Sequence, residues 1–415
     1  MSEDTTHGSD SRGTTSQPAQ RRAGTRSALL GAMFLMATSA IGPGFITQTT
    51  TFTAQLGAAF AFAILVSILV DIAIQMNVWR VVGVSGMRAH QLANRVAPGA
   101  GWLLTGLVLV GGLVFNIGNL AGAGLGLNAM LGVEPTLGAG VSALLAIAIF
   151  TIRRAGMALD RIVVLLGGLM IALTAYVAVM SEPPVGDALR STVLPNQISW
   201  LAITTLIGAT VGGYVSYAGA HRLLDSGLSG PQHASTVART SVLGILITGV
   251  MRVLLFLAVL GVVTAGVDLA NSDNPAATTF QAAAGEIGLR LFGAILWVAG
   301  LTSVIGAAYT SVSFLTSKDT PQRIMNLLTI GFIALSVTAL VVAGTNPVTL
   351  LIFAGAFNGL ILPIGFTILL WIAWRRNDLL GGYRYPRWLL GAGVLGWLVT
   401  IFVGYQFVVE NIGKL

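Results

Sequence analysis

The 415-residue chain has no cysteine, which excludes a disulfide framework and any thiolate metal site. Charge is scarce as well: Asp, Glu, Lys and Arg make up 9% of the residues against 55% hydrophobic ones, and mean hydropathy is +0.84. So little polar side chain cannot cover a soluble globule of this size, which excludes a water-soluble domain and places the chain in a lipid bilayer. A nucleophile–base arrangement, a Walker loop and a GxGxxG fingerprint after a strand are also missing. Neither an enzyme nor an ATP-driven pump is expected, and no catalytic residue and no cofactor is assigned. In a soluble protein the net charge of +7 would suggest nucleic acid; here its distribution follows membrane topology, and no nucleic-acid partner is expected.

What is present is apolar sequence rich in glycine, 52 residues in all, which suits close helix packing in lipid. A spanning helix needs about 20 apolar residues. Eleven stretches qualify, at about 28–55, 57–79, 100–128, 137–152, 159–180, 199–220, 240–264, 287–315, 324–343, 347–374 and 387–409. The first two are expected to form a tight hairpin at Gly57. Residues 1–26 lack an apolar run and read as a disordered tail rather than a cleavable signal peptide. Residues 27–410 form a single transmembrane domain.

Of the 22 Lys and Arg residues, Arg190, Arg290 and Lys414 fall on one side and Arg252 inside a span; all others fall on the side of the tail. That asymmetry places the N-terminus in the cytoplasm, and the protein in the inner (plasma) membrane as a multi-pass chain.

Within the first span stands Ile41-Gly42-Pro43-Gly44-Phe45, and in the sixth Gly208-Ala209-Thr210-Val211-Gly212-Gly213-Tyr214. Gly and Pro free backbone groups that hydrocarbon cannot satisfy, so such breaks persist only inside protein or beside a watery cavity. One break alone reads equally as a proline kink. Two, with Gly212 lying 170 residues after Gly42 and five helices later, mark corresponding positions of two halves inserted in opposite senses. That is the pattern of a secondary transporter holding its substrate at mid-membrane. The repeats are 28–180 and 199–374, with 387–409 as an extra C-terminal helix.

The candidate substrate-binding residues are Ile41, Gly42, Gly44, Phe45, Thr47 and Gln48 at the first break. At the second they are Ala209, Gly212, Gly213, Tyr214, Ser216 and Tyr217, with Asn119 from the third span. Any one of the threonines is as readily explained by a hydrogen bond to the preceding helical turn. Asn116 and Asn358 read as helix-joining residues, and His221, beside Arg222 and Asp225, as a solvated or interface residue rather than a metal ligand. Asp71 and Arg252 are the ionisable residues inside spans, and such residues are functional candidates by default. They read either as a structural ion pair or as a site in which Arg252 attracts an anion or Asp71 takes part in proton coupling.

These strings, together with Leu127-Asn128-Ala129-Met130-Leu131-Gly132 and Leu362-Pro363, resemble the Nramp (natural resistance-associated macrophage protein) family of proton-coupled divalent-metal transporters. The resemblance implies a LeuT-type fold. It also implies metal ligands at positions 42, 45 and 212 and an acidic pair at 119 and 122. This chain has Gly42, Phe45, Gly212, Asn119 and Gly122 there, with Tyr214 in place of a histidine. A Mn²⁺ or Fe²⁺ site needs oxygen, nitrogen or sulfur donors, and backbone carbonyls such as those of Ala40, Ile41 and Ala209 are what is left. No metal site is assigned. The branch also resembles membrane proteins encoded beside 5-oxoprolinase subunits, which implies 5-oxoproline as a substrate candidate. The expected function is import of a small organic acid by alternating access, with H⁺ or Na⁺ as coupling ion. Alternatives are a divalent-metal (Mn²⁺, Fe²⁺ or Mg²⁺) transporter with a non-standard site, and a non-transporting receptor on the same scaffold.

Overall fold

The structure is a computed structural model that describes Leu29 and residues 40–151, 155–269, 271–317 and 320–411, the side chains of 155–164 and 411 excepted. The expected tail, 1–26, and most of the start of the first expected span, 28–39, lie outside the described residues. No strand occurs among the described residues; the elements are α1 (Pro43–Leu56), α2 (Phe60–Ser85), α3 (Ala89–Val96), α4 (Ala100–Leu131), α5 (Pro135–Thr151), α6 (Ala155–Met180), α7 (Val185–Val193), α8 (Trp200–Val211), α9 (Val215–Asp225), α10 (Ala234–Thr264), α11 (Pro275–Val312), α12 (Gln322–Ala343), α13 (Pro347–Arg375) and α14 (Arg387–Asn411).

Among the described residues, eight helical stretches are long and apolar enough to cross a bilayer, or nine if Leu165–Met180 and Val185–Val193, which meet at 106°, form one span. This differs from eleven for identifiable reasons. Helices α1 and α2 run together as a 43-residue stretch, Pro43–Ser85. A three-residue 3-10 turn, Gly57–Ala59, joins them, and Gly57 takes φ +54°, a conformation that glycine adopts without a Cβ penalty. Helix α5, at 17 residues, is about 26 Å long, short of the ~30 Å hydrocarbon core.

Three helical pieces fall where the sequence reads as loop. Helix α3 is amphipathic, burying Ala89, Leu92 and Ala93, and its first turn is closed by the Arg88 N–H donating to Gln91 Oε1 at 3.1 Å. Helix α7 is the second, and the third is the beginning of α11, which starts at Pro275 and is interrupted at Gly285, φ +64°. Helix α13, by contrast, continues through Pro363.

The helices approach through glycine. A Cβ on Gly208 of α8 would collide with the backbone of Gly355 and Gly359 of α13, and one on Gly126 of α4 with the backbone of Trp297 of α11. Such contact replaces the hydrophobic drive that lipid does not supply. The most sheltered element is the interrupted one. In the stretch Trp200–Asp225, 94% of the most apolar window is buried by protein, against 28% for α12 and for α14. A break in that element leaves its freed backbone groups facing other helices rather than lipid, the condition under which such a break survives.

Candidate functional site

The first interruption is at Ile41–Gly42, where the chain bends before α1. Gly42 is the N-cap with φ −102° and ψ −174°, no side chain caps the helix, and Pro43 begins it. The helix thus begins three residues before Ile46, the start expected from sequence. Its first hydrogen bond runs from the Ile46 N–H to the Gly42 carbonyl at 3.3 Å, so the Gly44 and Phe45 N–H groups precede the ladder and are free to meet a ligand. The second interruption is Gly212-Gly213-Tyr214. Gly212 is extended, φ −77° and ψ 161°, and Gly213 takes φ +52°. Ser216 ties across it by donating its hydroxyl to the Val211 carbonyl, while the Ser216 carbonyl accepts from Trp79 Nε1 of α2 at 3.1 Å.

Helices α1 and α8 pack together, and Asn119 of α4 joins their breaks. A Cβ at Gly42 would stand 3.5 Å from Asn119 Oδ1 and 2.7 Å from Ser303 Oγ of α11. On its other side Asn119 faces the Tyr214 hydroxyl, with no hydrogen bond closing between them. Tyr214 is fully buried and meets the Phe115 ring edge-on at 5.6 Å. Asn358 of α13 lies against Gly212 and Gly213 and donates its amide to the Ala354 carbonyl at 2.8 Å and the Gly111 carbonyl at 3.1 Å.

Other candidates separate from this centre. Gln48 turns to α13 and donates to the Leu351 carbonyl at 2.7 Å, and its Oε1 has no partner. Thr49, Thr50 and Thr53 bond back to Phe45, Ile46 and Thr49 carbonyls; Thr47 makes no such bond. Gly44 meets only ordinary contacts, and Ala209 is buried within α8. Tyr217 faces away from the first break, packed on Phe314 at 5.2 Å beside a small cavity of about 20 Å³ shared with Gly213 and Gly365. Asn116 donates to Ser336 Oγ of α12 at 3.0 Å and so joins two helices.

The ionisable pair brackets the two breaks. Arg252 of α10, 2% exposed, places its guanidinium carbon 4.3 Å from the centre of the Phe45 ring, in the first turn of α1. Asp71 of α2, 1% exposed, faces Thr210, two residues before Gly212. Each is the charged group that bears on the other, yet no nitrogen–oxygen contact within 4.0 Å joins them. Both Asp71 oxygens, Arg252 Nε and Nη2, and both amide atoms of Gln75 are buried without a hydrogen-bond partner. Six unpartnered polar atoms in one buried neighbourhood are unusual, since protein interiors satisfy such groups. A carboxylate offers oxygens that match a guanidinium and open helix N–H groups together.

For a dication the donor set is poor. Positions 42, 45 and 212 carry no oxygen, nitrogen or sulfur side chain, and no group of three or more His, Asp or Glu among the described residues is gathered at metal-holding distance. A side chain at Gly122 would collide with the Pro43 ring, so that position admits no carboxylate. Sequence reasoning missed Ser303, Phe115, Thr210 and Gln75. Gln75, one helical turn from Asp71 on the same face, and Thr210, within the second glycine string, left a signal; Ser303 and Phe115 share no spacing with the breaks and reach them only through packing.

At one end of the bundle a latch covers the C-terminal half of α9. Arg88, at the start of α3, forms an ion pair with Asp225 at 3.0 Å and donates to the Ser313 and Thr316 carbonyls beyond α11 at 2.7 and 2.9 Å. His221 Nδ1 lies 3.0 Å from Ser313 Oγ. Burial and, secondarily, the Arg88 charge push the nearby His90 imidazole down to about 4.

Comparison with known proteins places this geometry. The chain is 51% identical over 398 residues to the uncharacterized membrane protein YcsG of Bacillus subtilis, covering 96% of this chain and 98% of that protein. It is 52% identical over 379 residues to an uncharacterized membrane protein of Haemophilus influenzae, covering 91% and 94%. In fold it matches the crystal structure of the Eremococcus coleocola manganese transporter in complex with an aromatic bis-isothiourea substituted compound, with TM-score 0.70, 17% identity and 96% and 88% of the two chains covered. It also matches MhsT in complex with L-phenylalanine, with TM-score 0.64, 17% identity and 90% and 98% covered. These likenesses identify the LeuT-type fold, and the model of the natural resistance-associated macrophage protein-like family matches residues 33–410. The chain therefore belongs to the Nramp family of membrane transporters.

Proposed function

We propose that the protein imports a small organic acid by alternating access, together with a coupling ion, H⁺ or Na⁺, and that 5-oxoproline is its candidate substrate. The observation that carries this reading is the buried Arg252 guanidinium, with Nε and Nη2 unpartnered, against the first turn of α1. The open N–H groups of Gly44 and Phe45 and the positive end of α1 favour the same charge. The substrate lies between the backbone of Ile41 to Phe45 and that of Gly212 to Tyr214, with Asn119 between them. MhsT, of like fold, holds L-phenylalanine, a carboxylate-bearing solute. In this reading 28–180 and 199–374 are inverted halves of five spans each, 387–409 is an eleventh, and the N-terminus is cytoplasmic in the inner membrane.

A second reading, import of a divalent metal, draws on the likeness to a manganese transporter. It would require coordination by backbone carbonyls and Asn119, and dehydrating a dication without a carboxylate in contact is very costly. Calorimetry on the purified full-length protein with 5-oxoproline and with Mn²⁺ separates the two. Saturable heat with the acid, lost in Arg252→Gln, supports the first; micromolar Mn²⁺ binding perturbed by substitution at Gly42 or Gly212 replaces it with the second.

A further inference from the structure

Resting on Arg252 as the group that takes the substrate carboxylate, we propose that anion and proton are coupled by charge exchange: the bound carboxylate replaces Asp71 as counter-charge to Arg252, and Asp71 takes up one proton. One acid anion and one proton then move together, and the loaded site carries no net charge.

The geometry leads there in three steps. First, Arg252 and Asp71 lie on packed helices, α10 and α2, each 2% exposed or less. Taken as an ionised pair before substrate binds, their charges cancel. Second, they are not locked together. With no contact inside 4.0 Å and two guanidinium nitrogens and both carboxylate oxygens unpartnered, each can take a new partner without first breaking a short ion pair. Third, among the described residues no other charge compensates. Arg252 is the charged group facing Asp71; α8 contributes the Thr210 hydroxyl and α2 itself the Gln75 amide one turn away. The other helices packed on α2 also carry titratable groups, among them Tyr214, His221, Arg222 and Asp225 of α9, Asp187 and Arg190 of α7, Arg375 of α13 and Arg387 of α14, and Arg252 is the charge that bears on Asp71.

A carboxylate arriving at Arg252 would leave a neighbourhood with two negative charges and one positive, in a place where one uncompensated charge is already expensive. Proton uptake by Asp71 restores neutrality, and the neutral carboxyl becomes a donor for the unpartnered Gln75 Oε1 or Thr210 Oγ1. The proton comes from the solution on the side where the substrate enters. It leaves to the other side once the departing anion exposes Asp71 again to the Arg252 charge.

The test titrates purified full-length protein with 5-oxoproline in two buffers of equal pH and unlike ionisation enthalpy. Uptake of one proton per bound anion is expected, and none in Asp71→Asn, which still binds. Binding without proton uptake, or uptake that persists in Asp71→Asn, overturns the coupling and leaves the acid-transport reading standing; no binding of 5-oxoproline removes that reading and this inference with it. Should Asp71→Asn fail to fold, the wild-type protein in liposomes gives the same decision. Accumulation should rise about tenfold per pH unit of imposed gradient, without sodium and without response to a potassium diffusion potential. Accumulation driven by sodium or by the potential overturns the proposal.

Discussion

The Arg252 guanidinium carbon lies 4.3 Å from the centre of the Phe45 ring. A cation of α10 thus rests on the first turn of α1, where members of the family resembled by these motifs place a side-chain metal ligand. A desolvated contact of this kind contributes about 2 kcal/mol or more, and it leaves the guanidinium edge free for an anion. Arg252→Gln should therefore abolish saturable 5-oxoproline binding. It also strands Asp71 as a buried charge, at a cost of about 3–5 kcal/mol, visible as a lower Tm; Asp71→Asn in the same chain should recover most of that loss, as a double-mutant cycle reads it. Wild-type affinity in Arg252→Gln would remove Arg252 from the site.

Restoring ligands at the family positions should not create a metal site. A Cβ at Gly212 meets the Gly208 carbonyl and Asn358 Cβ, and one at Gly42 meets Ser303 Oγ at 2.7 Å. Gly212→Met should cost about 1–3 kcal/mol through overpacking, measured by thermal unfolding. Phe45→Asn, with room but no companions, should show no Mn²⁺ binding by calorimetry. Micromolar Mn²⁺ binding by Phe45→Asn alone would show that backbone donors suffice.

The threonines after the first break divide by their bonds. Thr49→Val and Thr50→Val remove only hydroxyls that bond to Phe45 and Ile46 carbonyls, and should leave substrate affinity unchanged. Gln48→Leu removes the bond to the Leu351 carbonyl and should destabilise the protein by about 1–3 kcal/mol. A binding defect in Thr49→Val would make that hydroxyl part of the site.

Arg88→Gln should loosen the latch on α9, because it removes the ion pair to Asp225 and two bonds to carbonyls beyond α11. The natural absence of cysteine makes Tyr217→Cys a clean reporter beneath the latch. Its reaction with a polar maleimide should accelerate at least about tenfold in the Arg88→Gln background, since each charged hydrogen bond holds roughly 1.5–3 kcal/mol. An unchanged rate would mean that the latch does not control access.

His90 supplies a pH signature. Its folded-state value is pushed down to about 4, first by burial and then by Arg88, below the usual ~6.5 of the unfolded chain. The stabilisation is thus complete above about pH 6.5 and is lost as pH falls toward 4. Because His90 is half-buried, solvent screening reduces the effect to about 1 kcal/mol at pH 5. His90→Asn should flatten the fall in Tm between pH 7 and 5; an identical slope in both proteins would assign the loss to other groups.

Much of the fold was legible because lipid leaves few options. Within the described residues each long apolar run became a helix, and the interruption at Gly212 and Gly213 stands where the sequence placed it. The helix start at Pro43, rather than near Ile46, follows from proline's suitability for the first helical position. Helix α3 escaped notice because its eight residues bury one short amphipathic face, a signal that a search for apolar runs of about 20 residues does not contain.

By itself the sequence determined that the chain lives in a membrane, that its apolar runs carry glycine breaks at Gly42 and at Gly212-Gly213, and that donors for a dication are missing at positions 42, 45 and 212. Those are properties of composition and local backbone chemistry, which need no partner. Only the tertiary structure decided that Asn119 and Ser303 close on Gly42, that Arg252 rests on Phe45 while Asp71 reaches Thr210, and that the two charges stand apart. Each of these joins residues from different helices, and their distances depend on how closely glycine lets those helices approach.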